Sequence, residues 1–137
     1  MTSNNLSPTV RPLAKYPKFK VHDRFVFISG LSARLADNTV AGVSEKNGCK
    51  TFDVKSQTQT IFSKLLKILS EAGSSIDACV DVTVFLTDRS YFKDFNEIYS
   101  NYFQEDSAPA RTTIIVGGLP LPDMVVELKV VAAVPAG

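Results

Sequence analysis

Apolar residues recur along this chain with two periods, and each change of period marks an element. Over residues 53–73 the period is helical. Val54, Ile61, Leu65, Ile68, Leu69 and Ala72 fall on one stripe, while Gln57, Lys64 and Lys67 face away from it. Thr51 or Asp53 can cap the start of this helix, and Gly73 stands where a glycine ends one. The helix reads as scaffold, with no chemistry assigned to it. Over residues 78–86 the period is two. Ala78, Val80, Val82, Val84 and Leu86 take one face; Cys79, Asp81, Thr83 and Phe85 take the other. Asp88 can cap a second helix running to about Phe103, whose stripe of Phe92, Phe95, Ile98, Tyr99, Tyr102 and Phe103 is predicted to be core.

The remaining segments are shorter. A first strand is predicted around Phe19 to His22, and Asp23-Arg24 can turn it into Phe25-Val26-Phe27-Ile28, which ends at Ser29-Gly30. Residues 31–38 read as an irregular loop containing Arg34. Residues 39–43 read as a further strand, with Lys46-Asn47-Gly48 as a turn. After a loop over residues 105–110, two β-rich runs, 111–116 and 124–134, flank a turn made by Gly117-Gly118-Leu119-Pro120-Leu121-Pro122. Residues 1–15, polar and broken by proline, are predicted to be a flexible arm, and residues 16–137 a single domain.

This order predicts an α+β fold, a sheet with two helices packed on one face. The other face is not polar. In the last strand one alternation is Met124, Val126, Leu128, Val130 and Ala132, and the other is Val125, Glu127, Lys129, Val131 and Ala133. Strands apolar on both sides are expected where both faces are buried, and one domain lacks the material to do that. Self-association follows, with Glu127 on the face away from the helices and near a subunit boundary.

Composition narrows the function classes. A length of 137 residues fits one domain. A net charge of +1, from 15 basic and 14 acidic residues, leaves no footprint for a nucleic-acid partner. Two cysteines, Cys49 and Cys79, make no disulfide framework, and with His22 as the single histidine no metal site is expected. Cys79 has no basic neighbour in sequence to activate it and reads as structural. No apolar run reaches the length of a membrane span. The first 22 residues are basic and lack acids, as a transit peptide does, but Pro8, Pro12 and Pro17 would break its amphipathic helix. A cytoplasmic location is expected.

The candidate chemistry lies around the last two strands. Arg111 offers a planar fork of donors suited to a carboxylate. Glu127, a carboxylate among valines, can activate a water. From the residues alone a second reading is open, in which the two are a solvated cross-strand ion pair at the surface. Ser29-Gly30 is either a plain strand end or a place where backbone closely approaches a ligand.

The chain resembles the Rid family of imine and enamine deaminases over residues 12–134. The resemblance rests on Ile28-Ser29-Gly30, the run Val82-Thr83-Val84-Phe85-Leu86-Thr87-Asp88, Asn96-Glu97-Ile98-Tyr99, Pro109-Ala110-Arg111, and Leu119-Pro120 followed by Val126-Glu127. Within that family, residues 29–43, Arg111-Thr112-Thr113 and Glu127-Leu128-Lys129 are most similar to 2-aminomuconate deaminase. The resemblance implies a chorismate-mutase-like fold and a homotrimer whose bare sheet faces form a central barrel. It also implies sites in the clefts between subunits, a small carboxylate substrate and no cofactor. By position it gives Arg111 the carboxylate, Glu127 the water, and Ser29 and Gly30 the cradling of substrate. Asn96 matches a second-helix asparagine of the family, and Tyr16, or Phe19 in its place, an aromatic beside the substrate. Thr113 stands where many members carry a cysteine, so thiol chemistry is not expected there. Arg34 and Lys15 are candidates for a distal carboxylate. A non-enzymatic trimer that binds metabolites or partners in the same clefts is the competing class.

Overall fold

The computed structural model describes residues 11–135, so most of the predicted arm of residues 1–15 lies outside the described residues. Five strands form one sheet in the order β1-β2-β7-β5-β6, from β1 (Phe19–His22), β2 (Phe25–Ser32), β5 (Cys79–Leu86), β6 (Ala110–Ile115) and β7 (Val126–Ala133). All neighbours are antiparallel except β5 and β6. Helices α1 (Val54–Glu71) and α2 (Phe92–Tyr99) pack against one another, with α1 also against β2 and β7. Two further strands, β3 (Val43–Lys46) and β4 (Cys49–Phe52), form a separate hairpin.

Local chemistry accounts for much of this. Asp53 Oδ1 accepts from the Ser56 amide at 3.0 Å and caps α1. Gly73, at φ +78°, ends the helix by donating to Ser70 O while Ser74 donates to Leu69 O. Asn47 and Gly48 both have positive φ, 55° and 79°, which is the pairing a two-residue hairpin turn needs. The turn stands where the sequence predicts it, but the strand expected over residues 39–43 lies instead at Val43–Lys46, because pairing with Cys49–Phe52 begins at Val43 and leaves residues 39–42 with one isolated bridge, Arg34 to Val40.

Other differences come from bulges and from buried polar anchors. β2 continues past Ser29-Gly30 to Ser32 through a bulge between Ile28 and Leu31. A register shift between Cys79 and Asp81 turns Cys79 into the core and leaves Val80 exposed, reversing the predicted faces at that end of β5. Gln57 is not on an outward face but completely buried. Its Nε2 donates to Asp123 O at 2.8 Å, and its Oε1 accepts from the Val125 amide at 3.1 Å, tying the turn before β7 to α1. Asp88 caps a short 3-10 turn, Arg89–Tyr91, rather than α2 itself. Beyond the C-cap Ser100 the chain continues in i to i+3 turns, with Asn101 donating to Ile98 O and Tyr102 to Tyr99 O.

The core lies between the sheet and the helices, where Val26, Ile28, Val82, Val84, Leu86, Val126, Leu128 and Val130 meet Ile61, Phe62, Leu65 and Phe95. Phe62 stacks on Tyr102 with ring centroids 4.2 Å apart. The opposite sheet face leaves Phe25 and Phe27 about two-fifths exposed, at 41% and 42%. Among the described residues no helix is long and apolar enough to cross a membrane, and no group of three or more His, Cys, Asp or Glu gathers as metal ligands.

Candidate active site

The bulge in β2 builds the first half of the site. Ser29 leaves the ladder with β7, and its amide and hydroxyl instead donate to Lys18 O at 3.0 Å and Pro17 O at 2.6 Å. This pins residues 16–18 beside the sheet edge. A cleft of about 490 Å³ opens there, lined by Tyr16, Ser29, Gly30, Arg34, Lys64 and Glu127 among others. Glu127 shares its side of the sheet with Phe85 and Ser32, the side away from the helices, as the alternation predicted. Its carboxylate lies against Gly30: a Cβ there would stand 2.6 Å from Oε2 and 3.2 Å from Cδ. Gly30 thus makes the space that the carboxylate fills. Burial raises the Glu127 pKa above the ordinary glutamate range. Among the described residues no cation pairs with it. A desolvated, unpaired carboxylate in a cleft is a stronger base than a solvated one and can accept a proton from a bound water.

Arg111 sits elsewhere. It lies on β6 opposite Val82 of β5, on the helix-facing side, and its guanidinium carbon stands over Tyr99, Phe95 and Phe92 at 4.5, 5.1 and 5.7 Å from the ring centroids. Nε donates to Thr113 Oγ1 at 3.0 Å. Nη2 is buried and, among the described residues, has no partner, and the same holds for Asn96 Oδ1 and Tyr99 OH. Burial lowers the arginine pKa, yet a guanidinium stays charged. Buried polar groups in native proteins are nearly always satisfied, so the guanidinium keeps donor capacity that its own chain does not use.

The two predicted catalytic residues are therefore not brought together within one chain. β5 lies between their strands, and they project from opposite sides of the sheet. The cross-strand ion pair is excluded for the same reason. Tyr16 lines the cleft, whereas Phe19 packs against the core and does not. Arg34 lines it too, but its guanidinium is engaged: Nη1 donates to Asn38 Oδ1 at 2.8 Å and Nη2 to Arg11 O. Lys15 is exposed and outside the lining. Lys64, which the helical pattern placed on the outward face, is turned into the cleft, where Nζ donates to Ser32 O at 2.7 Å and to Arg34 O. No periodicity marks it, since the bulged end of β2 draws it inward. Cys79 is buried, with its thiol pushed up to about 12 mainly by that burial, which fits a structural residue.

The family model described as Endoribonuclease L-PSP matches residues 7–134. A RutC family protein of Pyrococcus abyssi is 34% identical over 122 residues, covering 89% of this chain and 88% of its own length. A protein of Acinetobacter baylyi named 3-aminoacrylate deaminase RutC is 32% identical over 126 residues and covers 92% of each chain. The crystal structure of RidA from an Antarctic Psychrobacter matches with a TM-score of 0.74 at 26% identity, covering 91% of this chain and 93% of that one.

Proposed function

This chain belongs to the Rid family, the family of the L-PSP model, and from that membership we propose that it is a cofactor-independent hydrolytic deaminase of 2-enamino and 2-imino acids. The observation that carries the reading is Glu127, a carboxylate whose pKa burial raises, held against Gly30 in a cleft. The 2-enamine loses a proton from nitrogen as it gains one at carbon and becomes the electrophilic 2-imine. Glu127 takes a proton from water as the oxygen bonds to the imine carbon, and the imine nitrogen takes up a proton from solvent, which gives a neutral carbinolamine. Glu127 then returns its proton to that nitrogen, the C–N bond breaks with its electron pair leaving on ammonia, the hydroxyl oxygen closes the new C=O as its proton passes to solvent, and a 2-oxo acid remains. A carboxyl whose pKa lies nearer neutrality serves both transfers, and such a positioned acid–base group contributes ~10²–10⁴-fold. No cofactor enters, because the substrate's own C=N is the electrophile.

In this reading Arg111 of a second copy binds the substrate carboxylate beside that carbon, with its Tyr99, Asn96 and Thr113 surroundings. The apolar sheet face bearing the exposed Phe25 and Phe27 supports a homotrimer, and the separation of Arg111 from Glu127 within one chain supports sites shared between copies. We further propose 2-aminomuconate as the preferred substrate and the cytoplasm as the compartment. The first rests on residues 29–43, with Arg34 in the cleft lining. General hydrolysis of reactive 2-imino acids is the second reading, favoured by the relative named as a deaminase of 3-aminoacrylate. The ribonuclease in the family description is set aside for this chain, since a net charge of +1 gives little attraction for RNA.

Ammonia release tests the proposal. 2-Aminomuconate and enamines generated from simple amino acids are compared with the same enzyme. Preference for the dicarboxylate supports the narrower assignment, and equal rates the general one. Tight binding of these acids without any ammonia would make the protein a binder and end the deaminase reading.

A further inference from the structure

The cleft beside Glu127 holds a cation that the deamination chemistry does not use. Lys64 reaches it from α1, the helix whose sequence gave no sign of chemistry. An ammonium carries three N–H donors. Two are spent on Ser32 O and Arg34 O, both at the end of β2 that the bulge redirects. Among the described residues no carboxylate pairs with Lys64, although it is more than half withdrawn from solvent. Glu71, which also lines the cleft, is engaged by Lys18 at 3.1 Å. The Arg34 guanidinium adds a second positive charge nearby, and its own donors go to Asn38 and to Arg11 O. Burial, with that neighbouring charge, lowers the Lys64 pKa to about 8, so the ammonium is held at a cost to the free protein. The two carbonyls offset part of that cost, and among the described residues no carboxylate offsets the rest. An arriving anion would.

We infer that Lys64 is the residue that binds a second carboxylate, so that the cleft selects 2-imino acids carrying an acidic group at the end remote from the reacting carbon. The two backbone carbonyls fix the ammonium in place, and one N–H remains for the ligand. Arg34 acts as a positioning residue: it braces the loop that supplies one of those carbonyls and contributes its field. This assignment replaces Lys15, which lies outside the cleft, and moves the direct contact from Arg34 to Lys64. It rests on the cleft being the substrate site, and it gives that site a substrate class.

The test uses stable product-type acids, so that it does not depend on turnover. 2-Oxoglutarate and pyruvate are titrated calorimetrically into the full-length protein, its Lys64→Gln variant and its Lys64→Arg variant. The wild type is expected to bind 2-oxoglutarate the more tightly. Lys64→Gln should lose ~10-fold or more of that affinity, the scale of one hydrogen bond to a charged group, while the affinity for pyruvate stays within a factor of ~2. Lys64→Arg, which keeps the charge, should recover most of the preference. A purely structural lysine, pinning β2 to α1, would weaken both acids alike, and that result overturns the inference. So does a wild type that binds the two acids equally, or neither. Ammonia release from 2-imino acids by the wild type is scored separately: its absence would sink the deaminase reading while leaving the ratio of affinities to judge Lys64.

Discussion

Replacing Gly30 with alanine separates the position of the base from the stability of the fold. The added Cβ would stand 2.6 Å from Glu127 Oε2 and 3.2 Å from Cδ, where ordinary contact begins at 3.4 Å. The carboxylate must therefore retreat by the better part of an ångström. It can do so, because it is the free end of a flexible side chain. Gly30 is not among the positive-φ glycines, so alanine meets no backbone strain there. Loss of glycine's freedom in the unfolded chain would, by itself, stabilise by ~0.4–1 kcal/mol. Thermal unfolding of Gly30→Ala should thus occur within a few degrees of wild type. Catalysis should not survive so well, since a misplacement of about 1 Å in a positioned group can cost ~10²-fold. The assay is single-turnover ammonia release beside a melting curve on the same sample. An unchanged rate in a folded Gly30→Ala protein would mean that Glu127 does not work from this position. The account of the cleft would then be wrong.

Arg111→Lys should fail nearly as badly as Arg111→Ala in deamination while the fold persists, because a point charge cannot reproduce the planar fork that stacks on Tyr99 and bonds Thr113; near-normal turnover of the lysine variant would contradict carboxylate recognition. Glu127 must be ionised to take a proton from water, so kcat should fall as pH drops through its pKa. Because burial raises that pKa, the acid limb should lie above the range of a solvated glutamate and vanish in Glu127→Gln. Gln57→Leu should cost about 2 kcal/mol or more in urea unfolding, as it leaves Asp123 O and the Val125 amide buried without partners; an unchanged midpoint would show that water replaces them.

Features set by neighbouring residues were legible in the sequence. Asp53 and Gly73 bound α1, and Asn47-Gly48 turns the hairpin, because capping and positive φ are local requirements. The side of the sheet that carries Glu127 was also legible, since one strand's alternation decides it. What depends on pairing between distant strands was not. The bulge at Ser29-Gly30 creates the cleft, and a second at Cys79 reverses a face, yet a bulge leaves no mark in apolar periodicity. Gln57 and Lys64 were placed outward because polar side chains usually are. Their partners are backbone atoms at residues 32, 34, 123 and 125, which no helical pattern could supply. That Arg111 and Glu127 take opposite sides follows from the register of β5 with both neighbours, information neither strand contains alone.

The central claim, that one site draws Glu127 from one copy and Arg111 from another, is open to a direct measurement. Arg111→Ala and Glu127→Gln chains, each inactive alone, are unfolded, mixed in equal amounts and refolded together. If the site is shared between copies, random assembly leaves about a quarter of the sites with both residues intact, and ammonia release should return to about that fraction of wild type. If each site is built within one chain, every site lacks one residue, and the mixture should stay as inactive as its parents.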